Sequence, residues 1–194
     1  MEICIFGASS NHLDPVYYEE AEKLGRLAAH SGHRIIFGGG ADGLMGACAR
    51  GVLAGGGKVL GIAPKLFDEP GILLPESTEI IFTSSMAERK ERMLSIGDAF
   101  ISLPGGIGTM DEFFETITLK QLGLLNKPLV LLNTMGFYDL LLSFLKEMAQ
   151  KGFMSENCLA LLRVCNTPQD ALAAALQPDS FSGNVRRLED YNNK

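Results

Sequence analysis

The stretch of sequence that decides the fold is AFISLPGGIGT, which runs from Ala99 to Thr109. The run from Ala99 to Leu103 is short and apolar, as in a buried strand, and Pro104 and three glycines then turn the chain. After the turn, the sequence predicts a helix with one apolar stripe of Met110, Phe113, Phe114 and Ile117, and with Asp111, Glu112 and Glu115 off that stripe. A strand that leads through a glycine turn into a helix is typical of a parallel α/β sheet.

The same alternation extends along the chain on both sides of this stretch. Short apolar runs predict strands at Ile3–Gly7, Arg34–Phe37, Lys58–Ile62, Glu79–Phe82, Ala99–Leu103 and Pro128–Leu132. Helical periodicity predicts helices at about Pro15–Ser31, Gly43–Ala54, Ser85–Ile96, Thr109–Leu125, Phe137–Lys151 and Pro168–Leu176. The pattern predicts a Rossmann-like, doubly wound parallel sheet flanked by helices, in a single domain of residues 1–177 that precedes a polar tail, residues 178–194.

The strand order of such a sheet decides where a ligand binds. Doubly wound sheets hold ligands beyond the carboxyl ends of the strands, where the strand order reverses. We expect the order 3-2-1-4-5, which would frame this crevice with the loops Gly7–Asn11, Thr83–Arg89 and Pro104–Thr109. In the first of these loops, Ser9 would offer a hydroxyl group.

The glycine loop Pro104–Thr109 is the strongest candidate for an anion site. Its glycines leave successive N–H groups free to point at an anion, at the positive end of the helix dipole. We expect a phosphate to bind at Gly105, Gly106, Ile107, Gly108 and Thr109. The structural alternative is a turn in which Thr109 caps the helix and Glu112 completes a capping box, but this alternative leaves the three glycines unexplained.

The second glycine loop, GGGADGLMG from Gly38 to Gly46, contains the spacing GxGxxG. A dinucleotide fingerprint normally follows the first strand and is answered by an acidic residue at the end of the next strand. Here the loop follows the second predicted strand, and the next strand ends in Gly61-Ile62-Ala63. We therefore expect Gly39 and Gly40 to line the same crevice, without NAD or FAD.

Charged residues open the predicted helix that follows the fourth strand. Met86 is followed by Arg89, which could bind phosphate or carboxylate through its forked guanidinium, and by Lys90, a point charge. The alternative is a solvated helix face, because residues 88–92 form a run of mixed charge of the kind that many surface helices carry. His12, His30 and His33 show no metal-ligand spacing, so we expect no metal.

Composition limits the classes of partner. The formal charge of −6 argues against polymeric nucleic acid, whose binding needs a basic face, but a single nucleotide needs only a few local donors. The four cysteines form no CxxC pair and predict free thiols in a reducing compartment. The sequence shows neither a basic leader nor an apolar run of the ~18 residues that a membrane helix needs. We therefore expect a cytoplasmic protein with no membrane partner.

Three motifs occur together and in order: GGGxxGLMG from Gly38, MxxRK from Met86 and PGGxGTxxE from Pro104. In this combination the chain closely resembles the LONELY GUY (LOG) family, from about Ile3 to Leu176. Members of that family are cytokinin riboside 5′-monophosphate phosphoribohydrolases. The chain departs from the family pattern at Ala87, where the family often has His, and at Asp111, where Glu is common.

The resemblance implies a role for each matching residue. Arg89 and Glu112 would be the catalytic pair, the Gly105–Thr109 loop would bind the 5′-phosphate, and Met86 and Lys90 would border the nucleotide. The resemblance also implies a homodimer with its sites near the interface. Because the sequence has no metal-ligand cluster and its GxGxxG is misplaced, we expect no cofactor. Some relatives carry the label lysine decarboxylase, but nothing in this sequence marks a lysine as an anchor for pyridoxal phosphate.

These observations predict a nucleotide-binding enzyme that cuts the N-glycosidic bond of adenine-type nucleoside 5′-monophosphates, including N6-modified ones. Glu112 would supply negative charge near the ribose, while Arg89 would orient Glu112 or stabilise the leaving base, since a guanidinium is a poor proton donor. Two alternatives remain open. One is a non-catalytic carrier of a nucleotide or of the molybdenum cofactor on the same fold, and the other is a different nucleotide-processing enzyme.

Overall fold

A computed structural model describes residues 1–179 of the chain. Its centre is one seven-stranded sheet in which every paired strand runs parallel to its neighbour. The strands are β1 (Glu2–Phe6), β2 (Arg34–Phe37), β3 (Val59–Pro64), β4 (Glu79–Thr83), β5 (Ala99–Ser102), β6 (Leu129–Leu132) and β7 (Arg163–Cys165). Their order across the sheet is β4-β3-β2-β1-β5-β6-β7, so the order reverses between β1 and β5.

Helices cover both faces of the sheet. They are α1 (Pro15–His30), α2 (Gly43–Ala54), α3 (Met86–Ile96), α4 (Ile107–Gln121), α5 (Asp139–Gln150) and α6 (Pro168–Leu176). Alternate strand residues feed opposite cores: Ile3 and Ile5 of β1 pack with α1, α2 and α6, while Cys4 and Phe6 pack with α3, α4 and α5. The predicted α/β class, with a doubly wound parallel sheet, is therefore confirmed.

The predicted strand order 3-2-1-4-5 is wrong. Strand β4 pairs with β3 at one edge of the sheet, and the strand beside β1 is β5. The exposure of β4 fits an edge position, since Phe82 is 42% exposed. The loop after β4 therefore starts far from the switch point, and α3 carries Arg89 back towards it. Strand β7 was not predicted, because its three residues are too short to show a period.

Helix α4 differs from its predicted stripe. Its buried residues are Thr109, Glu112, Phe113, Thr116 and Lys120, whereas Phe114 is 38% exposed. Glu112, expected off the apolar stripe, thus lies on the buried face, since a partner from α3 meets it there. The helix also begins two residues earlier than Thr109, and Gly106 is its N-cap. The capping-box alternative for Thr109 and Glu112 is therefore wrong.

Three further expectations concern the cysteines, membrane-spanning helices and the polar tail. Cys4, Cys48 and Cys158 are buried and Cys165 is half-buried. None of the helices within residues 1–179 is both long and apolar enough to cross a bilayer. Of the predicted polar tail, only Pro178 and Asp179 lie inside the described residues.

Candidate active site

A cleft of about 630 Å³ opens at the carboxyl ends of β1, β2 and β5. This volume falls in the range of small-molecule sites in proteins, and the position is the switch point of the sheet. Three walls enclose it: the loops after β1 and β2, the amino ends of α3 and α4, and part of the connection between β3 and β4. The lining residues are Gly7, Ala8, Ser9, Gly38, Gly40, Asp42, Met45, Phe67, Gly71, Ile72, Leu73, Met86, Arg89, Gly106, Ile107, Gly108, Thr109 and Glu112.

The amino end of α4 forms one wall of the cleft. No side chain caps this helix, and its first turn contains no acidic residue. The wall is therefore electropositive and offers backbone N–H groups to an anion. A Cβ on Gly106 or Gly108 would meet no atom within 4 Å, while one on Gly105 would lie 2.1 Å from Thr109 Oγ1. Gly105 thus gives room to the Thr109 side chain, and Gly106 and Gly108 keep the surface of the wall open.

Arg89 and Glu112 meet at the floor of the cleft. The Arg89 Nη1 atom donates a hydrogen bond of 2.7 Å to Glu112 Oε1, and Arg89 Nε donates to the Ile62 carbonyl oxygen at 3.1 Å. Both side chains are buried, at 6% and 10% exposed. A Cβ on Gly38 would lie 2.5 Å from Arg89 Nη2, so the first glycine of the second loop leaves space for the guanidinium.

Burial raises the pKa of the Glu112 carboxyl, because the charged form loses its hydration. The Arg89 guanidinium opposes this shift through its charge and its hydrogen bond. The site thus holds a buried carboxylate that keeps one oxygen on a fixed cation. Such a group can stabilise developing positive charge or accept a proton from water.

The second glycine loop and the loop after β1 support each other beside the cleft. Asn11 Oδ1 accepts a hydrogen bond of 3.0 Å from the Gly43 N–H, and Leu44 N donates to the Ala8 carbonyl oxygen at 2.8 Å. Gly43 has φ of +65°, and a Cβ there would lie 2.2 Å from that same oxygen. The start of α2 therefore fits against the loop after β1 only with glycine at this position.

The connection between β3 and β4 supplies a wall that the sequence patterns did not reveal. We call residues 65–78 the flap. It folds back on the second glycine loop, with Ala41 N donating to the Ile72 carbonyl oxygen at 2.9 Å and Leu74 N donating to the Gly39 carbonyl oxygen at 2.8 Å. Phe67, Ile72 and Leu73 of the flap line the cleft. The only signal for such a role was a connection of fourteen residues without helical period, since long irregular loops are often functional.

Most of the residues that we proposed from sequence lie around this cleft. Those that line it are Ser9, Gly40, Met86, Arg89, Gly106, Ile107, Gly108, Thr109 and Glu112. Gly39 and Gly105 lie behind the lining, where Gly39 has φ of +80° and faces Leu73. Lys90 does not line the cleft, because its ammonium lies between Asp111 and Glu115 on α4. Asp42 and Met45, which we did not propose as site residues, do line it.

Curated relatives are similar in sequence to most of this chain. A cytokinin riboside 5′-monophosphate phosphoribohydrolase of Rhodococcoides fascians is 41% identical over 167 residues, which is 84% of this chain and 82% of the relative. A protein of the same name from Arabidopsis thaliana is 40% identical over 86% of this chain and 79% of its own. The profile of a family described as possible lysine decarboxylase matches residues 45–175.

Solved structures share the fold at lower identity. The molybdenum cofactor carrier protein of Chlamydomonas reinhardtii superposes with a TM-score of 0.69 and 21% identity, over 89% of this chain and 94% of that one. The molybdenum cofactor binding protein of Rippkaea orientalis gives a TM-score of 0.67 and 18% identity, over 89% and 93%. At this identity the likeness concerns the fold alone. The matching profile and the named relatives show that the chain belongs to the LOG family.

Proposed function

We propose that this protein hydrolyses the N-glycosidic bond of adenine-type nucleoside 5′-monophosphates, with N6-modified cytokinin nucleotides and AMP as substrates. The single observation that carries the proposal is the buried Arg89–Glu112 pair at the floor of a cleft whose adjoining wall is the uncapped amino end of α4. The names of the relatives, given above, agree with this reaction.

The chemistry follows from the charges at the floor of the cleft. When the bond between C1′ and N9 breaks, positive charge builds on the ribose, water supplies a hydroxyl group to C1′, and N9 takes up a proton. A carboxylate near C1′ stabilises that positive charge and can activate the water. Glu112 is suited to both roles. Arg89 fixes one oxygen of Glu112 at 2.7 Å, which leaves the second oxygen for the ribose or the water.

The phosphate subsite would be the amino end of α4. A 5′-phosphate there would accept hydrogen bonds from the N–H groups of the first helical turn and would lie at the positive end of the dipole. Binding at this remote group would orient the ribose over Glu112. The apolar part of the lining, with Met45, Phe67, Ile72 and Leu73, would pack against the base.

Nucleoside monophosphates should therefore react much faster than nucleosides. A hydrogen bond to a charged group contributes about 1.5–3 kcal/mol, so the loss of two of them predicts at least a ~100-fold lower kcat/KM for adenosine than for AMP. Steady-state release of adenine measures both values. Ribose 5-phosphate should inhibit the reaction, whereas ribose should not. Similar kcat/KM values for AMP and adenosine would show that the phosphate does not bind at the amino end of α4.

The rate should also report the raised pKa of Glu112. Because the reaction needs the ionised carboxylate, kcat should fall as the pH is lowered, and burial should place this loss above the usual titration range of a glutamate. A profile of kcat from single turnovers with saturating AMP gives the midpoint of the acid limb. A midpoint within the ordinary range of an exposed carboxyl would contradict the role of burial.

The main alternative is a carrier that binds a nucleotide or the molybdenum cofactor without turnover. Its support is the shared fold of the solved carrier proteins, which does not extend to their ligand. Release of free base from AMP and from its N6-isopentenyl analogue separates the two functions, since a carrier would bind both and release neither base.

A decarboxylase that uses pyridoxal phosphate fits this cleft poorly. Such enzymes hold the cofactor through a lysine Schiff base, and among the described residues that line the cleft there is no lysine. Lys90 follows the cleft residue Arg89 in sequence, but its ammonium is paired with two carboxylates of α4 and not with the cleft. We prefer hydrolysis for this reason.

We further propose a cytoplasmic homodimer with small-molecule nucleotides as its partners, and neither polymeric nucleic acid nor membrane. The support for a dimer is an apolar surface beside the cleft: Ile107 is 91% exposed, and Phe114, two turns later on the same face of α4, is 38% exposed. A second copy of the chain would remove these side chains from water. The acidic net charge argues against a polymeric nucleic acid partner. The four free cysteines fit a reducing compartment such as the cytoplasm.

A further inference from the structure

Lys90 occupies a position on α3 next to Arg89, but it makes different contacts. Its Nζ atom lies 3.0 Å from Asp111 Oδ2, 3.2 Å from Asp111 Oδ1 and 2.9 Å from Glu115 Oε2. The Lys90 side chain is 20% exposed, and these two carboxylates raise the pKa of its ammonium, Glu115 more than Asp111. The ammonium is thus committed to α4 and is not directed into the cleft.

The two acceptors of Lys90 flank Glu112 on the same helix. Asp111 precedes Glu112 by one residue and Glu115 follows it by three, so the ammonium bridges the turn of α4 that carries Glu112. Consecutive residues of α3 therefore hold consecutive residues of α4: Arg89 binds Glu112, and Lys90 binds Asp111. Two ion pairs in parallel thus connect the two helices along this turn.

The stem of Lys90 also closes the space behind Glu112. A crevice there is lined by Phe6, Lys90, Leu94, Glu112, Glu115 and Thr116, and it is too small to admit a water molecule. The aliphatic part of Lys90 thus separates the back of the Glu112 carboxyl from solvent, while its charge remains at the surface. This dry side contributes to the burial of Glu112.

We propose that Lys90 is a positioning residue: its ammonium ties α3 to α4 through Asp111 and Glu115 and so holds the Arg89–Glu112 pair in its reactive geometry. The inference rests on the hydrolysis proposed above, and it gives Lys90 a task other than contact with the nucleotide.

Lys90 has an electrostatic effect of known sign as well. The charged groups that shift the pKa of Glu112 are Arg89 and Lys90 from α3 and Asp111 on α4. Glu115 lines the same crevice as Glu112, and the buried Cys4 thiol of β1 lies near enough for the Glu112 charge to raise its pKa. The charge of Lys90 lowers the pKa of Glu112, and that of Asp111 raises it. Loss of the Lys90 charge should therefore move the acid limb of kcat to higher pH.

The decisive variants separate the tie between the helices from contact with substrate. Lys90→Met keeps an unbranched stem in the crevice and removes the ammonium. Asp111→Asn combined with Glu115→Gln keeps Lys90 and removes its partners. We expect both proteins to lose about 10- to 100-fold in the plateau value of kcat, because small misplacements of reacting groups have effects of this size, with KM nearly unchanged. Lys90→Arg should restore most of the activity.

The acid limb adds a measurement that a general loss of structure would not reproduce. It should move to higher pH in Lys90→Met and to lower pH in the Asp111→Asn/Glu115→Gln protein, although both lose kcat. Melting temperatures and calorimetric binding of AMP show that each variant is folded. A raised KM with normal kcat in Lys90→Met alone would overturn the inference and place Lys90 on the nucleotide. Unchanged kcat in both variants would also overturn it.

The wild-type protein separates failure of this inference from failure of the proposed reaction. If the unmodified protein releases no base from AMP or from N6-isopentenyl AMP, the reaction is wrong. In that case the tie is tested by the carbon-13 resonance of the Glu112 carboxyl, whose titration should still move to higher pH in Lys90→Met. If it does not move, Lys90 does not act on Glu112.

Discussion

Replacement of Glu112 by glutamine should lower kcat by at least ~100-fold and leave AMP bound, because the reaction requires the negative charge at the floor of the cleft. The glutamine oxygen can still accept the hydrogen bond from Arg89 Nη1, so the geometry of the floor should persist. The phosphate wall at Gly106–Thr109 is untouched. Single-turnover release of adenine measures the rate, and calorimetry measures the affinity for AMP.

The matched control for Glu112→Gln is Glu147→Gln on the exposed side of α5, where Glu147 forms a surface ion pair with Lys151. This control should retain wild-type kcat, since it is the same chemical change on a helix that does not reach the cleft. A Glu112→Gln protein that binds AMP and turns over at nearly the wild-type rate would refute the mechanism. A Glu112→Gln protein that no longer binds AMP would show that Glu112 serves affinity before catalysis.

Replacement of Arg89 by methionine should have the largest effect on stability. The guanidinium is buried and paired, and removal of one partner of such a pair typically costs about 3–5 kcal/mol because a charge is left without compensation. The Ile62 carbonyl oxygen would lose its donor in the same step. Urea unfolding of Arg89→Met should show this loss, and kcat should fall as well because Glu112 is no longer held.

Two further proteins test the origin of that loss. Arg89→Met with Glu112→Gln removes both charges and should recover much of the stability, since uncharged replacements of a buried pair are often nearly neutral. Arg92→Met, on the same helix, removes only an exposed pair with Glu88 and should change the unfolding free energy by less than about 0.5 kcal/mol. A double variant as unstable as Arg89→Met would show that packing, rather than the lost charge pair, explains the effect.

The fold could be predicted from sequence wherever boundaries are local. Helices α2 and α6 begin and end at the predicted residues, because Gly43 and Pro168 mark their starts. The strand order could not be predicted in this way. Whether β4 or β5 lies beside β1 depends on which strands pair in three dimensions, and in the sequence both are short, mostly apolar runs.

The candidate site was likewise predictable only where its signals are local in sequence. Each glycine loop and the Arg89 motif is a continuous stretch of sequence, and they were found from the sequence patterns. The burial of Glu112 was not, because periodicity counts a glutamate as a solvent-facing residue and cannot show that a guanidinium 23 positions earlier will meet it. The task of Lys90 was hidden for the same reason, since its partners on α4 are visible only once the helices are packed.

The flap separates the choice of base from the chemistry of bond cleavage. The groups proposed for bond cleavage are built into helices on the sheet, whereas Phe67, Ile72 and Leu73 belong to a connection whose link to the glycine loop uses backbone hydrogen bonds. Side chains in this connection can therefore change while the backbone link and the reactive groups stay in place. Substitutions within one short segment of the gene would therefore change the preference for purine substituents without altering the reactive groups.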